Sequence, residues 1–182
     1  MKTLNIVTTS KRKFDEISLA LSSCFDCVQK DIHIVEVQGT SEEIILDKVK
    51  QAYKAVNGLV LVDDVSVHFD LLGGFPGPYM KDFTNCMSST EMADLFLGTK
   101  GKGVSRMVMM FDEYTIIFAE GSVIGVGVKP RILKGYGFEP FFLPENSEKT
   151  FAEMGAAEKN KYSHRGKALE DLKSKLKSKG FC

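Results

Sequence analysis

Apolar residues along the chain alternate between short runs and helix-spaced stripes, which predicts strands and helices in succession. Residues 3–8 read as a strand, and Phe14, Ile17 and Leu21 then recur at helical spacing as a core-facing stripe. Residues 32–37 alternate like a second strand. A loop through Gly39 leads to a helix whose Ile45, Val49, Ala52 and Val56 repeat at four, three and four. Leu59, Val60, Leu61 and Val62 form a continuous apolar run, the signature of a strand covered on both faces, and it ends at Asp63 and Asp64. Gly73, Gly74, Pro76, Gly77 and Pro78 make a dense turn signal, with Pro78 suited to the first turn of a helix through Tyr79, Lys81 and Phe83.

The second half continues with a helix over residues 90–97 and a glycine- and lysine-bearing connection over 98–103, which reads as mobile. Residues 104–111, 114–119 and 122–128 predict strands of a meander, turned at Asp112-Glu113 and Glu120-Gly121, that would build a second lobe. Residues 135–147 read as loop. Leu169, Leu172 and Leu176 mark a closing helix. There is no internal repeat and no low-complexity linker, so the expectation is one α/β domain over residues 1–182, with two lobes.

Composition narrows the function classes. A hydrophobic content of 43% suits an ordinary globular domain. Lys+Arg and Asp+Glu both number 24, so the total charge gives no drive toward a polynucleotide backbone. No apolar stretch approaches the roughly 20 residues that span a bilayer, and the start of the chain lacks a signal-peptide core. These features predict a cytoplasmic protein without a membrane or polynucleotide partner. Cys24, Cys27, Cys86 and Cys182 are too scattered for a disulfide framework, so reduced thiols are expected; Cys24 and Cys27 have C-x-x-C spacing but no second ligand pair.

Candidate chemistry lies in three polar clusters. Thr8, Thr9, Ser10, Lys11, Arg12 and Lys13 open the first helix, where cations oppose the macrodipole unless an anion binds. Backbone N–H groups at such a terminus hold phosphate oxygens, with lysine and arginine neutralising the charge. Asp63 and Asp64 form the second cluster. One reading is that they merely keep a buried strand's end hydrated. The other adds Glu36, near the end of its own strand candidate, to Asp64 as oxygen ligands for Mg²⁺, with Asp64 also orienting a water as general base. The third cluster is Lys159 with Ser163, His164 and Arg165. Taken singly, Lys159 also reads as a solvated helix residue, His164 and Arg165 as a helix start, and Tyr136 and Phe138 as core aromatics. His33 and His68 lack companion ligands and read as structural.

No G-x-x-x-x-G-K-[ST] element is present, which disfavours a P-loop fold. The stretches Gly73 to Tyr79, Gly135 to Pro140 and Lys149 to Met154, followed by Glu158-Lys159-Asn160 and Ser163-His164-Arg165, instead resemble the inosine triphosphate pyrophosphatase family from the first strand to the last helix.

That resemblance implies an elongated α/β/α two-lobed fold with a long central mixed sheet, a nucleotide cleft between lobes, and a homodimer. It also implies Mg²⁺-dependent cleavage of ITP, dITP or XTP to the nucleoside monophosphate and pyrophosphate, sanitising the nucleotide pool. By motif, Thr8 through Lys13, Lys48 and Lys81 would contact phosphates. Glu36 and Asp64 would hold the metal, Asp64 would serve the attacking water and Asp63 would support the site. Tyr136, Gly137, Phe138, Glu139, Lys159, His164 and Arg165 would form the base pocket.

The chain departs from the family pattern at Thr9 and Ser10, where glycine and asparagine are usual, and at Glu139, where aspartate is common. Two other readings stay open: a pyrophosphatase for another noncanonical or pyrimidine nucleotide, and a nucleotide sensor without turnover.

Overall fold

Along the computed structural model, which describes residues 1–182, the elements run β1 (Lys2–Val7), α1 (Lys11–Leu21), β2 (Phe25–Lys30), α2 (Ser41–Val56), β3 (Val60–Phe69), a 3₁₀ turn (Asp70–Leu72), β4 (Pro76–Gly77), α3 (Met80–Cys86), α4 (Ser89–Leu95), β5 (Lys100–Met110), β6 (Ile116–Gly127), β7 (Phe142–Pro144), α5 (Ala156–Tyr162) and α6 (His164–Ser178). Strand order in the 7-stranded sheet is β2-β1-β3-β5-β6-β7, with β4 pairing on β3. β1 is parallel to both β2 and β3, whereas β4 and β7 pair antiparallel with β3 and β6. The result is the expected α/β class with a mixed sheet.

The chain divides into two units. Unit 1 comprises Met1–Asp64, Arg106–Glu120 and Ala168–Cys182, and unit 2 comprises Val65–Ser105 and Gly121–Lys167. β3, β5, β6 and α6 each run from one unit into the other.

Unit 1 is built on period-two alternation. Leu4, Ile6, Leu61, Met107 and Met109 pack with Ile17 and Leu21 of α1 and Leu169, Leu172 and Leu176 of α6. The intervening residues Val7, Val60, Val62, Val108 and Met110 pack with Ile45, Val49 and Ala52 of α2. Successive strand residues face opposite ways, so α1 and α6 cover one face of the sheet and α2 the other. A capping box between Thr40 and Glu43 fixes the start of α2. Unit 2 has an aromatic core of Phe69, Phe96, Phe138, Phe141, Phe142 and Phe151, with Phe69 stacked on Phe96 at 3.8 Å between ring centroids.

Several expected boundaries differ. The second strand lies at Phe25–Lys30, in full register with β1, and residues 31–37 have no regular structure. Ile32 and Ile34 are partly buried against the α2 layer, so the alternation is real but reports packing without a ladder. β3 continues to Phe69, which places Asp63 and Asp64 inside the strand. Residues 100–103 belong to β5, and Gly101 is there because a Cβ would lie 2.8 Å from the Phe69 ring. The expected turn at Glu120-Gly121 is continuous β6, where the Glu120 N–H is taken up by Asp171 Oδ2 at 3.1 Å. Pro78 precedes the N-cap residue Tyr79 of α3 instead of lying within its first turn.

The cysteine expectation is also corrected. Cys24 is bonded to Cys182 across 158 residues, with Cα atoms 4.9 Å apart, while Cys27 and Cys86 are free thiols. Phe181 stacks on Phe111 with centroids 4.2 Å apart, which carries the end of the chain to Cys24. Burial, followed by the charge of Asp26, pushes the Cys27 thiol pKa up.

Candidate active site

Adjacent residues on a strand point to opposite faces, and this sets the geometry of the acidic pair. Asp63 shares the face of Leu61 and meets Lys13 of α1, Nζ to Oδ2 2.9 Å. Asp64 shares the face of Val60 and Val62 and meets Lys48 of α2, Nζ to Oδ1 3.3 Å. Each acid therefore finds a lysine on the helix that covers its side of the sheet. This answers why two carboxylates survive inside a strand: neither is buried without a cation.

The two faces differ in openness. The Asp63 side chain is 1% exposed, which makes its pair with Lys13 a structural tie between β3 and the first turn of α1. On the other face Lys48 also reaches Glu36, Nζ to Oε1 2.9 Å, and Glu36 is 38% exposed. Glu36 comes from the irregular segment after β2, anchored by Gln51 Nε2 donating to the Val35 carbonyl at 2.9 Å. Burial raises the Asp64 pKa above the usual aspartate value, outweighing the attraction of Lys48 and Lys13. Burial opposes the Lys48 charge too, but Asp64 and Glu36 outweigh it and hold the ammonium pKa above its ordinary value.

The loop from β1 to α1 is ordered by its own side chains. Ser10 caps α1 by accepting from the Lys13 N–H at 3.3 Å, and the Ser10 N–H donates to Thr8 Oγ1 at 3.2 Å. The Thr8 carbonyl accepts from Gln29 Nε2 at 3.0 Å, and Thr9 is exposed. No acid lies in the first turn of α1, which begins Lys11-Arg12-Lys13. Lys11 pairs along the helix with Asp15 at 3.0 Å, so it does not join the carboxylate cluster.

In unit 2, Lys159, Phe138 and His164 surround the Phe151 ring, and Lys159 forms a buried ion pair with Glu139. Lys159 of α5 donates to Glu139 Oε1 at 2.6 Å, and both side chains are 10% exposed. Lys159 Nζ stands 5.9 Å from the Phe151 ring centroid. Phe138 packs edge-on against Phe142 and Phe151, and the His164 ring lies 5.7 Å from Phe138 and 5.9 Å from Phe151. Arg165 is buried at 4%. Tyr136 is exposed, and Gly137 adopts φ +61° where a side chain would be strained. Lys81 lies exposed on α3, away from any ion pair.

Sequence reasoning missed two contributors. Phe151 stacks on Phe142 at 5.6 Å and forms a wall for both Lys159 and His164; it appeared only as part of a motif. Gly166 follows Ser163-His164-Arg165, and a Cβ there would collide with the Asn160 carbonyl, so glycine is what allows α6 to start so close to α5. The available signal was a glycine near the start of a helical pattern. His68, expected as structural, bridges the Gly74 carbonyl at 3.0 Å and Ser66 Oγ at 3.1 Å, holding the glycine-rich turn.

The Ham1 family pattern matches residues 4–175. The chain belongs to the Ham1 family. It is 37% identical over 179 residues to the inosine triphosphate pyrophosphatase of Pyricularia oryzae, covering 95% of this chain and 93% of that protein. It is 36% identical over 172 residues to the dITP/XTP pyrophosphatase of Hyperthermus butylicus, covering 92% and 90%. Among solved structures, a HAM1 protein from Coxiella burnetii superposes with TM-score 0.86 at 22% identity, over 98% of this chain and 100% of that one. The Staphylococcus aureus Ham1 protein gives TM-score 0.77 at 21% identity, with the same coverage. The structural likenesses establish the Ham1 fold.

The donor set suits one kind of metal. Glu36 Oε1 and Asp64 Oδ1 converge on a single cationic point, Lys48 Nζ. No group of three or more His, Cys, Asp or Glu side chains is gathered into a cage. Two hard carboxylates fit Mg²⁺, which is commonly held by one or two carboxylates together with water and substrate phosphates.

Proposed function

We propose that this Ham1 protein hydrolyses noncanonical purine nucleoside triphosphates, ITP, dITP and XTP, to the monophosphate and pyrophosphate. The observation that carries the reading is the cluster of Lys48, Glu36 and Asp64, in which two carboxylates converge on one cation position, while the Lys13–Asp63 pair lies on the opposite face of β3. The relatives named as pyrophosphatases of ITP and of dITP and XTP support the substrate class.

In this reading Asp64 accepts a proton from a water whose oxygen attacks the α-phosphorus; the bond from that phosphorus to the α–β bridging oxygen breaks and pyrophosphate leaves. A raised Asp64 pKa suits a general base better than an ordinary aspartate, because basicity grows with pKa. Glu36 and Asp64 would hold Mg²⁺, which when bound supplies positive charge to the triphosphate oxygens. Lys13, Lys48 and Lys81 neutralise phosphate charge, and the Thr8 to Lys13 turn offers backbone N–H groups at a helix start. Asp63 positions Lys13.

Tyr136 is the exposed aromatic available to stack on a purine, with Gly137 allowing the turn beside it and Phe138 backing the pocket. Lys159, His164 and Arg165 supply donors for a 6-oxo group, and Glu139 supplies an acceptor. Adenine presents a 6-amino donor to those donors, leaving buried polar groups unpaired, so ATP is rejected. The protein acts as a cytoplasmic homodimer in this account, where free nucleotides are found; no helix is long and apolar enough to cross a membrane.

Incubation with Mg²⁺ and equal concentrations of ITP, XTP, GTP, ATP and dTTP tests the proposal. IMP or XMP plus pyrophosphate is the expected result. Diphosphate plus phosphate would place the cut elsewhere, dTMP would favour a pyrimidine substrate, and binding without product would make the protein a sensor.

A further inference from the structure

We propose that the Lys48 ammonium is a resident counter-ion that a divalent cation must displace, so that loading Glu36 and Asp64 releases Lys48 for the triphosphate. The inference rests on the metal reading above and adds an exchange step to it. Lys48 Nζ lies 2.9 Å from Glu36 Oε1 and 3.3 Å from Asp64 Oδ1, and so fills the position where the two carboxylates converge. A Mg²⁺ ion sits about 2.0–2.1 Å from each oxygen ligand, so ammonium and metal cannot share that point.

What can move is the lysine stem. Its backbone is fixed in α2 by the buried side chains of Ile45, Val49 and Ala52 and by the Thr40 capping box. Four rotatable carbons carry the ammonium, a compact charge that re-forms hydrogen bonds easily. Asp64 stays anchored on β3, so exchange leaves the ligand in place and frees the cation.

Charge balance sets the order of binding. Lys48 against Glu36 and Asp64 gives one positive and two negative charges, a net of −1, while Lys13 and Asp63 pair on the other face of the sheet. A divalent ion alone turns this to +1 and strips Lys48 of its carboxylates, so metal by itself binds weakly. The polyanionic phosphate chain restores balance and gives Lys48 new partners. Metal and nucleotide therefore bind with positive coupling, and Lys48 is the positioning residue that creates it.

The test measures Mn²⁺ affinity by calorimetry for the whole protein and for Lys48→Met, without nucleotide and with the α,β-methylene analogue of ITP. Without nucleotide, Lys48→Met should bind Mn²⁺ at least about tenfold more tightly, since a competing cation is gone. With the analogue, the tightening seen in the unmodified protein should shrink severalfold in the variant. Equal or weaker Mn²⁺ binding by Lys48→Met overturns the exchange. A crystal structure of the unmodified protein with Mn²⁺ alone separates exchange from simple repulsion: Nζ should have left both carboxylates, and Nζ still bridging them refutes the proposal. Mn²⁺ binding undiminished in Glu36→Gln and Asp64→Asn would instead sink the metal reading, and the exchange with it.

Discussion

Two ion-pair systems in this protein use the same chemistry in opposite ways. In unit 1, Lys48 stands between Asp64 and Glu36; Lys48 and Asp64 are 15% and 12% exposed, and Glu36, at 38%, is the open end of the cluster. In unit 2, Lys159 and Glu139 meet at 2.6 Å, each 10% exposed, with Phe151, Phe138 and His164 close by. The first arrangement can exchange its cation. The second is a direct pair closed in by aromatic rings. Rearranging charge suits bond cleavage and fixed polar geometry suits recognition, which is why the proposed function puts chemistry in unit 1 and base selection in unit 2.

The largest effect expected from breaking this contrast is at Asp64. Asp64→Asn removes the proton acceptor and should lower turnover about 10²–10⁴-fold while nucleotide binding persists. Single-turnover assays beside equilibrium binding would measure both, and unchanged turnover would remove Asp64 from the mechanism.

Stability should separate the two pairs next. Lys159→Met removes the ammonium 2.6 Å from the buried Glu139 carboxylate, which costs up to roughly 3–5 kcal/mol and should lower Tm by up to roughly 6–20 °C. Lys48→Met should lower Tm far less, because Glu36 is partly solvated and Asp64 takes up a proton more readily than usual. Equal losses on thermal melting would erase the distinction.

A smaller effect should appear with pH. The folded-state pKa of Asp64 is raised, so its contribution to stability is present below the unfolded value of about 3.9 and is lost as pH rises through the folded value. In metal-free protein, the Tm of Asp64→Asn minus that of the unmodified chain should therefore climb over this window. Lys48, also raised, changes charge only above the ordinary lysine range and does not interfere. A difference that is flat or falls with pH contradicts the burial argument.

The sequence carried the layers well, because period-two and helical stripes report which face each residue covers. Ile17, Leu21, Ile45, Val49, Leu169 and Leu172 are all buried as their spacing predicts. The same alternation holds the reason for Asp63 and Asp64, but it becomes visible only when β3 is known to continue to Phe69, since a carboxylate looks like the end of an apolar run. Residues 32–37 misled in the opposite direction: side chains alternate there without a strand ladder, and periodicity cannot tell the two apart. Gly101 and Gly103 suggested a loose connection, yet they lie in β5 close to Phe69 and His164, respectively. The Cys24–Cys182 bond was invisible because a pairing over 158 residues leaves no local spacing signal. The partners of Glu139 and Lys159 were equally hidden: ordered motifs named the residues, but only folding brings together side chains 20 positions apart.

The most direct test of the division of labour is the ratio of kcat/KM for ITP to that for ATP, measured in the unmodified protein, Asp64→Asn and Arg165→Ala. The account predicts that Asp64→Asn slows both substrates and keeps the ratio, whereas Arg165→Ala reduces the ratio by about tenfold or more. A ratio unchanged in Arg165→Ala, or collapsed in Asp64→Asn, would contradict it.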